Sequence, residues 1–134
     1  MTVAALVLWI VTAIGGLTMA GTWLAHHGPA EHRSGRARIS PARLVAHGGL
    51  AAAGLVLWIA HVATDEDALG WLALAILPFV ALIGALMYMT WLAGRGADAP
   101  ADRSADQHLP PLLVGAHGIL AVATVVVVVI ALVS

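Results

Sequence analysis

Four apolar stretches, roughly Val3–Ala25, Pro41–Ala63, Leu69–Leu92 and Pro110–Val133, take up most of this chain and leave few choices of fold. Each supplies the ~20 helical residues needed to cross the hydrocarbon of a bilayer. None contains Asp, Glu or Lys, and the single Arg among them is Arg43, near the start of the second. What remains of the 134 residues is too short for a separate soluble domain. Only 10% of the chain is charged, against about a quarter in soluble domains. The expectation is an all-α integral membrane protein, a single domain built as a four-helix up-down bundle.

The first stretch lacks a basic segment ahead of it, and it exceeds the ~7–15 apolar residues of a signal peptide. It reads as a retained helix. Cysteine is absent, which excludes disulfides, thiolate metal sites and iron–sulfur clusters. The absence of Lys beside abundant Ala, Val, Gly and Arg reads as a GC-rich bacterial genome, so the expected location is the bacterial plasma membrane. Membrane lipid is then the obligatory partner, and no nucleic acid is expected.

The arginines give direction. Arg33, Arg36, Arg38 and Arg43 lie in or beside the first loop, and Arg95 and Arg103 in the third, while the second loop carries Asp65, Glu66 and Asp67. The positive-inside rule places the first and third loops in the cytoplasm and both termini outside. Ser40-Pro41 and Pro110-Pro111 mark helix starts. Pro78 should kink the third helix. Trp23, Trp71 and Trp91 fall near expected membrane boundaries, where an indole is at home, and Trp9 and Trp58 lie deeper. Gly94–Leu109 reads as a mobile loop.

The second and fourth helices open on one phrase. Pro41-Ala42-Arg43-Leu44-Val45-Ala46-His47-Gly48 matches Pro111-Leu112-Leu113-Val114-Gly115-Ala116-His117-Gly118. Each His lies six residues past its proline, about 9 Å along a helix axis. The two helices start from the same side, so both imidazoles reach one depth. An ionisable group at such depth faces the bundle interior by default and marks function. The second and fourth helices of an up-down bundle are diagonal, which puts these rings too far apart to touch directly, yet placed to grip two faces of a porphyrin through its iron. Arg43, one turn before His47 on the same face, is placed to pair with a haem propionate. The alternative is that both His only tie helices together. The small residues Gly15, Gly16, Gly21, Gly48, Gly49, Gly54, Gly84, Gly115 and Gly118 allow either close helix packing or room for a flat cofactor.

This pattern resembles the haem-binding four-helix core of b-type cytochromes, including cytochrome b of quinol-oxidising complexes and the cytochrome b561-like proteins. In those complexes the second and fourth helices each carry two His, thirteen or fourteen apart, for two stacked haems. Here His47 and His61 are fourteen apart, but the matching position after His117 is Ala131, and Val125–Val129 offers no ligand. The resemblance therefore implies one haem b, with His47 and His117 as axial ligands and Gly48, Gly118 and Arg43 beside it. It also implies a quinone or a partner redox protein, and a place as membrane subunit of a larger oxidoreductase.

His61 reads as an interfacial residue beside the acidic loop, and Met87 and Met89 as core or lipid-facing. His26, His27, His32 and His108, with Glu31 nearby, could hold zinc or another transition metal, although solvated loop residues are the simpler reading. Three functions compete: a small membrane cytochrome, a cofactor-free structural or assembly subunit, and a metal or proton transporter. The last ranks lowest, since transport usually leaves acidic residues within the spans.

Overall fold

The computed structural model describes residues 1–95 and 103–134. Its elements are α1 (Thr2–Ala25), a short α2 (Gly28–Arg33), α3 (Pro41–Thr64), α4 (Asp67–Arg95), a 3-10 turn (Ala105–His108) and α5 (Pro111–Val133). No strand occurs among the described residues. The helices α1, α3, α4 and α5 are each long and apolar enough to cross a bilayer. Their limits fall within a few residues of the expected ones, because the caps are written locally. Ser40 accepts from the Arg43 N–H and Pro41 opens α3. Both devices satisfy or remove an N–H that a helix start leaves without a partner. Asp65 closes α3 in the left-handed conformation. Helix α4 runs unbroken through Pro78, which lies on an exposed face.

Short connections make an up-down bundle. α3 packs extensively on α4, and α5 on α1, with less extensive contact between α1 and α3 and between α4 and α5. The pairs α1/α4 and α3/α5 are diagonals. The arginine-bearing connections lie at one end, called here the basic end, and the termini and the Asp65–Glu66 turn lie at the other.

Two buried clusters fill this frame. Toward the termini, Ala5, Trp9, Trp58, Ala73, Leu77 and Val128 pack together. Gly54 makes this possible, for a Cβ there would fall 2.9 Å from the Trp9 ring. Trp58 also donates to the Thr2 carbonyl at 3.2 Å. At the basic end, Trp23, Ala37, Ile39, Trp91, Ala105 and Leu109 form the second cluster. Trp23 and Trp91 are thus core residues under a cap of loops, not boundary anchors, while Trp71 is exposed. The cap folds back because two carboxylates supply the acceptors its backbone needs.

Of the segment expected to be a mobile loop, Gly94–Leu109, residues 96–102 lie outside the described residues, Gly94 and Arg95 end α4, and Ala105–His108 forms the 3-10 turn. Asp106 is buried and accepts from the Trp23 indole at 2.8 Å and from the backbone N–H groups of Arg38 and Ile39. Glu31 accepts from the Ala105 N–H at 2.6 Å and lies 3.6 Å from Arg36.

Candidate functional site: a paired histidine layer

Between the two clusters the bundle interior changes character. Here His47 and His117, each half-buried, come to one level with ring centroids 6.2 Å apart and planes inclined by 70°. The equal depth follows from the shared Pro-to-His spacing. The proximity does not, since diagonal helices were expected to keep the rings from touching. What brings them inward is how each is anchored on a neighbouring helix.

His47 Nδ1 lies 3.0 Å from the Val80 carbonyl of α4, and His117 Nδ1 lies 3.0 Å from the Thr12 carbonyl of α1. A carbonyl only accepts, so each Nδ1 carries the proton and each Nε2 keeps its lone pair. One turn past each carbonyl stands a glycine against which the ring lies. A Cβ on Gly84 would approach His47 Cε1 to 2.9 Å, and one on Gly16 would approach His117 Cε1 to 3.1 Å. Below, the buried Thr12 and Thr124 hydroxyls meet at 3.1 Å and tie α1 to α5.

The other expected site residues fall elsewhere. Arg43 is exposed, with Nη1 3.4 Å from the Thr90 hydroxyl. Gly48 and Gly118 are exposed, and a Cβ on either would meet nothing within 4 Å. The glycines that receive the imidazoles belong to α1 and α4. His61 is buried at the α3–α4 turn, where Nδ1 meets the Glu66 carbonyl at 3.0 Å and the ring packs on Trp58. His26 and His108 stack at 3.8 Å, their Nδ1 atoms on the carbonyls of Thr22 and Ser104, and His32 Nδ1 is on Ala37 O. Parallel stacked rings cannot both aim a nitrogen lone pair at one ion. Among the described residues no group of three or more His, Asp or Glu could hold a metal.

A second repeat in the sequence marks the glycine and carbonyl positions. Met19, Thr22-Trp23-Leu24-Ala25 of α1 recurs in α4 as Met87, Thr90-Trp91-Leu92-Ala93, and at the same offset Gly16 corresponds to Gly84 and Thr12 to Val80. Together with the Pro-to-His repeat, it relates α1 to α4 and α3 to α5. The anchoring of His47 on α4 and of His117 on α1 is therefore one arrangement used twice about a pseudo-twofold axis. No family model matches the chain, and no curated protein or solved structure is significantly similar to it.

Proposed function

We propose that this protein is a small multi-pass membrane cytochrome of the bacterial plasma membrane, holding one haem b between His47 and His117. The basic end then faces the cytoplasm and both termini lie outside. The observation that carries this reading is the imidazole pair itself, with each Nδ1 committed to a carbonyl and each Nε2 left as a lone-pair donor. Two imidazoles that share one metal ion, each nitrogen about 2 Å from it, have ring centroids at most about 6 Å apart, and the 6.2 Å between these rings is close to that limit. Anchoring the far nitrogen on a carbonyl is the usual means of fixing a ligating imidazole.

The donor count favours haem over a bare ion. A zinc site takes three or four protein ligands, whereas a porphyrin brings four nitrogens of its own and needs only two axial partners. The haem would supply one-electron chemistry at its iron. The chain's residues set ring orientation through Thr12 and Val80, make room through Gly16 and Gly84, and bring the Arg43 charge to the basic end. A quinone or a redox protein is the proposed electron partner, and membership of a larger oxidoreductase fits helices joined by loops too short to hold a catalytic domain.

Protein purified from haem-replete cells should be red, with the reduced-minus-oxidised bands of a six-coordinate b haem. His47→Ala and His117→Ala should each abolish them. A colourless preparation with no extractable haem would leave the imidazoles as mere helix ties.

A further inference from the structure

The pseudo-twofold axis holds at Trp23 and Trp91 and then fails at their hydrogen bonds. Both indoles are buried at equivalent places in the basic-end cluster. Trp23 donates to Asp106. At the offset of the Pro-to-His repeat, the counterpart of Asp106 is Arg36, which has no acceptor to offer and is drawn to Glu31. Among the described residues the Trp91 indole N–H is accordingly enclosed without a hydrogen-bond partner, on a residue only 6% exposed. A buried donor without an acceptor is costly, and native interiors rarely keep one without a reason.

The described side chains around it are cationic. Arg43 reaches Thr90, the Arg95 guanidinium lies 4.9 Å over the Trp91 ring, and Arg38 Cδ would lie 3.7 Å from a Cβ on Gly94. Three guanidinium groups thus surround the last two turns of α4, where the related half of the molecule keeps a carboxylate. Val80, Gly84, Met87 and Trp91 recur at helical spacing along one face of α4, the face that receives His47. Trp91 lies seven positions past Gly84, about 10 Å nearer the basic end along the same stripe. A lipid headgroup would come to this end from outside the bundle, whereas Trp91 lies on an interior stripe.

Resting on the haem reading above, we propose that the Trp91 indole N–H, with Arg43 and Arg95, receives one haem propionate. That carboxylate takes the place that Asp106 fills beside Trp23. The pocket is one-sided, because Asp106 repels a second carboxylate, so the haem is held in a single orientation about the pseudo-twofold.

Apoprotein in detergent should be titrated with haem b and with its dimethyl ester, in wild type and in Trp91→Phe, which keeps the ring bulk and deletes the donor. Wild type is expected to bind haem about tenfold more tightly than the ester, and Trp91→Phe to lose that preference. The 15N-indole resonance of Trp91 in wild type should take different positions in the haem and ester complexes, a measurement that needs no variant to fold, and one shared position would also overturn the assignment. Equal affinity for haem and ester in wild type would overturn the assignment. So would a Trp91 resonance that moves with phosphatidylglycerol in place of haem. Failure of wild type to bind either compound would instead strike the haem reading itself.

Discussion

Gly84 and His47 are the closest fit in the site, and they separate glycines that receive the imidazoles from glycines that only share a phrase with them. A methyl group on Gly84 would press on His47 Cε1 at 2.9 Å, and the ring cannot retreat without leaving the Val80 carbonyl. Overpacking of this kind costs about 1–3 kcal/mol, more than the ~1 kcal/mol of helix propensity gained from Gly to Ala. Gly84→Ala should therefore lower the melting temperature in detergent. Gly118→Ala, with open space around its Cβ, should leave it unchanged or raise it. Equal melting temperatures for the two variants would mean that the imidazole is not held against Gly84. From sequence, His47 and His117 were legible because the ionisable side chains stand out in an apolar helix. Their receiving glycines were not singled out, since they sit on helices distant in the chain.

At the scale of elements, helix limits were legible and the cap was not. Ser40, Pro41 and Pro111 announce their helices within a single turn of chain. Asp106 instead draws its meaning from Trp23, Arg38 and Ile39, all more than sixty residues away. Each donor left buried without an acceptor costs about 1–3 kcal/mol. Asp106→Ala, which strands three of them, should lower the thermal midpoint followed by circular dichroism well beyond any loss in Asp106→Asn, which keeps one carbonyl oxygen for the indole. Comparable midpoints in the two variants would show that the cap does not depend on this acceptor. The same logic explains why Trp23 and Trp91 read as boundary residues from sequence. Both stand near the end of a long apolar helix, and a cap of α2 and the 3-10 turn covers them.

For the whole molecule, the decisive asymmetry is charge. The arginines cluster at one end and Asp65, Glu66 and Asp67 at the other, and the positive-inside rule predicts the basic end in the cytoplasm. The chain contains no cysteine, which makes single-cysteine labelling direct. In intact cells, Glu66→Cys should react with a membrane-impermeant maleimide, while Ser34→Cys should react only after permeabilisation. The reverse pattern would invert the orientation.

The sequence by itself determined the four helices, their lengths, the up-down path and the matched depth of two histidines. All of these depend on apolar run length and on spacing from a proline, quantities local to one element. Only the tertiary structure decided that the rings meet 6.2 Å apart, that Thr12 and Val80 anchor them, and that Trp23 has an acceptor where Trp91 has none among the described residues. Those facts depend on which helix lies beside which, and on backbone carbonyls that every residue carries and no residue type reveals.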